Sequence, residues 1–321
     1  MDKTVSRVLA GDFRWTAGPP LIAQADRPDD PCHSIKDPSV VFHDGRWHVF
    51  CTIRSQKRTH QIEYLSFTDW KDAGKADRHV LALTDGYFCA PQVFYYSPHR
   101  RWYLLYQIID KSRQPALQPA YSTTETLGDP TSWTAPRLLF DVSPEGIDKW
   151  IDFWVICDGE RSHLFFTSPE GRLWRAQTRL ADFPLGWSKP AVVLQADFYE
   201  ASHTYRLKGV GKYLTMVEAR IDGDRRYYKA FLADRLDGEW RPLAAEKDMP
   251  FASSSNVRQT GPRWTDSISH GELLRDGVDE KLEVDPARMR FLFQGVLDSE
   301  RAGKKYGEIP WRMGLAEMDS M

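Results

Sequence analysis

Three carboxylates stand where apolar, β-type runs begin. Asp37 heads Pro38-Ser39-Val40-Val41-Phe42, Asp152 heads Phe153-Trp154-Val155-Ile156, and Glu200 heads Ala201-Ser202-His203-Thr204-Tyr205. Acids brought together from distant parts of a chain suit hydrolysis of a glycosidic bond. That reaction needs one carboxyl that stays protonated near neutral pH and a second carboxylate on the other side of the sugar carbon. Where the second group activates water, the two sit roughly 6.5 to 9.5 Å apart. A neighbouring negative charge raises a carboxyl's pKa, so Asp152 beside Glu200 would keep Glu200 protonated as general acid, and Asp37 across the gap would be general base. The competing explanation is that each acid is a turn or cap residue at a strand start.

The elements that would position these acids repeat. Each unit runs as a short apolar strand, a polar turn, usually with Gly, an apolar second strand, usually rich in Trp, Tyr or Phe, a third strand and a loop ending at Trp. The opening positions are Asp37, Gln92, Asp152, Glu200 and His270. The apolar stretches alternate over four to seven residues between Gly, Pro, Asp and Ser, and none has the period of a long amphipathic helix. Sheets of this size bury both faces only by stacking radially, which predicts an all-β, five-bladed β-propeller. The chain is expected to be one catalytic domain over 1–321, with 1–33 a segment that packs on or closes the ring. The strand opening each unit is then innermost, and polar residues at its head converge on one mouth.

Composition narrows the partners. The 321 residues carry 41% hydrophobic and 27% charged side chains with a formal net charge of −2, so no basic field exists to hold nucleic acid. No apolar run of about 18 residues occurs, and no membrane association is expected. Aromatic residues are abundant, with 12 Trp, 13 Tyr and 16 Phe, as strand cores or sugar-stacking surfaces demand. Cys32, Cys51, Cys89 and Cys157 lie singly, in neither a metal nor a redox spacing. Local patterns for Ser-His-Asp catalysis, phosphate loops and H-E-x-x-H zinc sites are absent from the sequence. Glu218 and Glu272 face the channel only if the register shifts by one strand or residue.

Phe13-Arg14-Trp15-Thr16, Ile35-Lys36-Asp37-Pro38-Ser39-Val40-Val41, Ser66-Phe67-Thr68-Asp69-Trp70, Ala90-Pro91-Gln92-Val93-Phe94-Tyr95, Asp152-Phe153-Trp154-Val155-Ile156, Tyr199-Glu200-Ala201-Ser202, Ile268-Ser269-His270-Gly271-Glu272 and Pro310-Trp311-Arg312 together resemble glycoside hydrolase family 62, in order and along the whole chain. The resemblance implies a five-bladed propeller and an inverting, exo-acting α-L-arabinofuranosidase that removes arabinofuranosyl groups from arabinoxylan or arabinan. It implies Asp37 as general base, Glu200 as general acid and Asp152 as the residue that tunes and orients the acid. Lys36, Gln92 and Tyr306 match arabinose contacts, and His270 matches a histidine near an axial calcium held mainly by water; no cofactor serves the chemistry. A monomer acting on a secreted enzyme's polymeric substrate is implied, although Met1-Asp2-Lys3-Thr4-Val5 carries no export signal and a cytoplasmic location is the alternative. The chain departs from the family at Phe88, expected to reshape the rim, at Gly307, which follows Tyr306, and in the entrance loops Arg54 to Arg58 and Asp110 to Gln118. These departures keep open a same-fold glycosidase for another furanoside or pentoside. A non-catalytic carbohydrate-binding propeller is the reading from a different class.

Overall fold

The computed structural model describes residues 2–319, and its strands form five sheets, each a blade of one propeller. The first blade comprises Cys32–His43, Arg46–Ser55, Gln61–Phe67 and Arg78–Val80; the second, Phe88–Tyr96, Arg101–Ile109, Leu117–Thr124 and Arg137–Leu138. The third comprises Ile151–Cys157, Arg161–Ser168, Arg172–Arg179 and Ala191–Gln195. The fourth comprises Glu200–Leu207, Lys212–Ile221, Arg225–Ala233 and Arg241–Ala244, with the short Glu283–Val284 parallel to its first strand. The opening strands touch one another around the axis, as the repeat predicts.

The fifth blade joins both ends of the chain. Its inner strands Ser269–Leu273, Arg290–Gly295 and Arg312–Met318 are followed outward by Trp15–Ala17, which pairs antiparallel with Arg312–Met318 and parallel with Val257–Gln259. Closure removes an exposed sheet edge. Trp15 is fully buried in that seam and donates its indole N–H to the Phe251 carbonyl at 2.7 Å. A buried carboxylate, Glu63, also ties the segment before the first blade to the ring through Arg27, with Arg78 at 3.3 Å on its other oxygen.

Aromatic side chains fill the spaces between blades. Trp154 stacks on His203 of the next blade with centroids 4.2 Å apart and donates its indole N–H to the Thr204 carbonyl. Below the mouth the axis is occupied by the buried pair Glu272–Arg275, at 2.8 Å. The Arg275 guanidinium donates to the Val40 and Val93 carbonyls, so fifth, first and second blades meet on one side chain. Glu272 thus belongs to the plug of the axis.

Candidate active site

Every inner strand carries the same irregularity, at or near its start in four blades and inside Cys32–His43 in the first. The pairing with the second strand slips between Lys36 and Ser39, Cys89 and Gln92, Ile151 and Trp154, Glu200 and His203, and Ser269 and Gly271. At the bulge, Asp37, Ala90, Asp152 and Ala201 take left-handed backbone with φ of 50°, 53°, 57° and 54°. Non-glycine residues rarely adopt that conformation, and bulges that carry it re-aim side chains beside active sites.

This bulge corrects the register read from sequence. The residues equivalent to Asp37 are Ala90, Asp152, Ala201 and His270; Glu200 lies one position earlier, opposite Glu218, as Lys36 lies opposite Thr52. Gln92 lies two residues beyond Ala90 and is fully buried. Its amide donates to the Val155 carbonyl and accepts from the Val155 N–H, each at 2.7 Å, so it fastens the second blade to the third instead of facing a sugar. The sequence places Gln92 in the acid slot because strand starts alone do not reveal an inserted residue.

The bulges also free backbone N–H groups, and each is met by a side chain of the preceding blade. Asp37 N–H donates to Gln294, Ala90 N–H to Thr52, Asp152 N–H to Gln107, Ala201 N–H to Asp152 Oδ2 at 2.8 Å, and His270 N–H to Glu218 Oε2 at 2.6 Å. Asp152 therefore grips the backbone of the residue that follows Glu200.

Two groups of side chains result. On one side Asp37, 5% exposed, lies 3.4 Å from Lys36 Nζ through Oδ2 and 3.4 Å from His270 Nδ1 through Oδ1. Burial pushes its carboxyl up, but Lys36 and His270, with Thr52, hold it below the usual value. Burial likewise opposes charge on Lys36 and His270, yet both are raised, Lys36 mainly by Asp37 and His270 by the ring of Asp37, Asp152, Glu218 and Glu200. Tyr306, 47% exposed, stands at the rim and takes a 3.3 Å hydrogen bond from Lys36 on its hydroxyl.

On the other side Arg226 Nη1 donates to Glu200 Oε1 at 2.8 Å and to Glu218 Oε1 at 2.9 Å. The Glu200 carboxyl is raised to about 7, first by burial, then by Glu218 and less by Asp152, against the pull of Arg226 and His270. Asp152 is itself raised, by burial and then by Asp37 against the opposing pull of His270. Asp152 acts in the expected direction, but burial and Glu218 outrank it.

Lys36, Asp37, Asp152, Glu200, His270 and Tyr306 are thus brought to one mouth, and Gln92 is not. Glu218, Arg226 and Tyr199, whose hydroxyl donates to Glu218 Oε1 at 2.5 Å, were missed as parts of this group. The available signal was a polar residue directly after the apolar run of each second strand: Thr52, Gln107, Thr167, Glu218 and Gln294.

The departures resolve differently from expectation. Phe88 is fully buried, edge-on to Tyr106, and does not shape the rim. Gly307 backs onto Arg54, where a Cβ would lie 3.4 Å from Nε, so the final loop packs on the first blade's entrance turn. Among the described residues no group of three or more His, Cys, Asp or Glu could hold a metal. His270, expected beside a calcium held mainly by water, has its Nδ1 3.4 Å from Asp37 Oδ1. Cys51, Cys89 and Cys157 are buried, Cys32 is half-buried, and all four are unpaired. No helix among the described residues is long and apolar enough to cross a membrane.

A carboxyl kept protonated in one half of a mouth and a carboxylate kept ionised in the other can split a glycosidic bond. Residues 14–317 match the family model of Glycosyl hydrolase family 62. Alpha-L-arabinofuranosidase C of Cellvibrio japonicus is 38% identical over 319 residues, which cover 97% of this chain and 48% of that protein; the chain spans about half the length of this relative. The catalytic domain of the Coprinopsis cinerea GH62 alpha-L-arabinofuranosidase superposes with a TM-score of 0.89 at 39% identity, covering 97% of this chain and 98% of the other. The Podospora anserina alpha-L-arabinofuranosidase PaAbf62A, solved with cellotriose, also gives 0.89, at 37% identity over 98% and 99% of the two chains. The chain belongs to glycosyl hydrolase family 62, a family of glycosidases.

Proposed function

We propose that the protein is an exo-acting, inverting α-L-arabinofuranosidase that takes arabinofuranosyl side groups from arabinoxylan-like polysaccharide. The observation carrying this is the opposite treatment of two carboxyls at one mouth: Glu200 raised to about 7, Asp37 held below its usual value. In this scheme Asp37 accepts a proton from a water that attacks the anomeric carbon, and Glu200 gives its proton to the departing glycosidic oxygen. Lys36 and Tyr306 hold the furanose from the base side, and Asp152 orients the acid through the Ala201 N–H. The relatives' names supply the sugar, and a GH62 hydrolase solved with xylotriose, 36% identical, supports a xylan backbone on the leaving side. In this reading a polymer too large to import is met outside the cell.

The test is incubation of purified protein with arabinoxylan, arabinan and nitrophenyl furanosides, with the first-formed anomer read by NMR. Release of β-arabinofuranose from an α-linked substrate is expected. Retention of configuration, or no release of arabinose from any member of the panel, overturns the assignment.

A further inference from the structure

We propose that Glu218 is a positioning residue whose negative charge, and not its hydrogen bonding, serves the proton-donating carboxyl Glu200. The inference rests on the hydrolase assignment above and concerns a side chain buried behind the reacting groups.

Comparison of the blades carries it. The register position facing the head of each inner strand holds Thr52, Gln107, Thr167, Glu218 and Gln294. Thr52, Gln107 and Gln294 perform one structural task there, accepting the N–H freed by the next blade's bulge, and they do it as neutral groups. Glu218 performs the same task for the His270 N–H. A neutral amide therefore suffices for the fold at this position, yet the fourth blade alone places a carboxylate there, fully buried. Burying a charge is costly unless it is paired and hydrogen-bonded.

The surplus charge has an evident target. Arg226 is shared, with one nitrogen bonded to Glu200 Oε1 and to Glu218 Oε1. Glu218 also accepts from the Tyr199 hydroxyl and from Ser269 Oγ, so it is held without help from Glu200. While Glu218 neutralises the guanidinium, Glu200 is free to carry a proton. Without that charge, Arg226 has Glu200 as its only carboxylate partner in this contact and holds it ionised. The other titratable groups facing Glu200 are Asp152 from the third blade, His270 from the fifth, and the neutral hydroxyls of Tyr199 and Tyr306. Only Asp152 shares Glu218's sign among the first of these, and it acts more weakly.

The experiment is Glu218→Gln, followed by thermal unfolding, a pH profile of kcat/KM on nitrophenyl α-L-arabinofuranoside and arabinoxylan, and a ¹³C titration of the Glu200 carboxyl, assigned by its loss in Glu200→Gln. Because Gln fills this slot in two other blades, the variant should unfold within a few degrees of the parent. The Glu200 titration and the alkaline limb should both move down from about 7 toward the ordinary carboxylate range, with kcat on arabinoxylan down about tenfold or more at pH 7. A folded variant whose titration and limb stay in place overturns the proposal. Should the variant not fold, Tyr199→Phe and Ser269→Ala, which keep the charge and remove one donor each, must leave the limb unmoved; a limb displaced by either refutes a role for charge alone. The carboxyl titration needs no turnover, so a wild-type protein inactive on the panel would sink the hydrolase assignment while Glu218 is still judged.

Discussion

Replacing Glu200 by Gln removes the transferable proton and little else. The amide oxygen can still accept from Arg226, so the contact at 2.8 Å survives and the fourth blade keeps its head. With the carboxyl raised to about 7, roughly ten enzyme molecules hold the proton for each that has lost it at pH 6, and the ratio inverts at pH 8. A positioned general acid contributes about 10²–10⁴ in rate, or roughly 3–5 kcal/mol of barrier. That loss should appear in full where the leaving group is a xylose hydroxyl, a poor leaving group without a proton. It should shrink by at least tenfold where the leaving group is nitrophenolate, which departs unaided. The assay is kcat/KM for both enzymes on arabinoxylan and on nitrophenyl α-L-arabinofuranoside from pH 5 to 9, with unfolding temperatures measured alongside. The variant's nitrophenyl profile should also lose its alkaline limb. Equal losses on the two substrates, or a limb retained near 7 in the variant, would refute Glu200 as the proton donor.

Three further outcomes are expected. Asp37→Asn should lower kcat by about 10²–10⁴ on both substrates alike, since water activation does not depend on the leaving group; in the wild type the acidic limb should fall below the usual carboxylate range, because Asp37 must be ionised to act and Lys36 and His270 keep it so. A limb above that range would contradict the pairing. Asp152→Asn should move the alkaline limb downward, but by less than Glu218→Gln, because Asp152 ranks behind burial and Glu218 in raising Glu200 and the amide still accepts the Ala201 N–H; a larger shift than in Glu218→Gln would restore Asp152 as the main modulator. Gln92→Ala strands the Val155 N–H and carbonyl and should cost about 2–4 kcal/mol of stability, seen in chemical denaturation, while KM stays within a few-fold. A tenfold rise in KM at unchanged stability would return Gln92 to the sugar.

The propeller was legible because its units repeat the same order of strand, polar turn and aromatic strand, and the period belongs to the backbone more than to any one residue. The acids were legible as strand heads for the same reason. Their register was not. Asp37 and Glu200 both precede apolar runs, but only the observed bulge separates the left-handed slot of Asp37 and Asp152 from the position of Lys36 and Glu200 one residue earlier. Alternation along a strand counts residues and is blind to an insertion that keeps the side chains polar. Gln92 was misplaced by that count, and Glu218 was discounted because a second-strand residue was expected to point away from the mouth. It reaches the acid inside its own blade, as the cross-strand partner of Glu200 and through the shared Arg226, while its bond to the His270 N–H ties the fourth blade to the fifth across 52 positions.

Charge sorting explains how nearly equivalent strand heads yield unlike acids. Burial raises Asp37, Asp152 and Glu200 together, so burial cannot assign their roles. What differs is the neighbour supplied at the same two register positions. In the first blade the position before the bulge is Lys36 and its cross-strand partner is the neutral Thr52, and the acid at the bulge stays ionised. In the fourth blade the position before the bulge is the acid itself, and its cross-strand partner is Glu218, so the proton stays on. A repeated fold thus sets two carboxyls to opposite tasks by placing Lys36 and His270 beside one and Glu218 beside the other. It follows that giving the first blade the fourth blade's partner, with Thr52→Glu, should raise Asp37 and cost activity from the acidic side of the kcat/KM profile even though Thr52 lies outside the group that would touch the sugar; an acidic limb left in place would refute this sorting by neighbours.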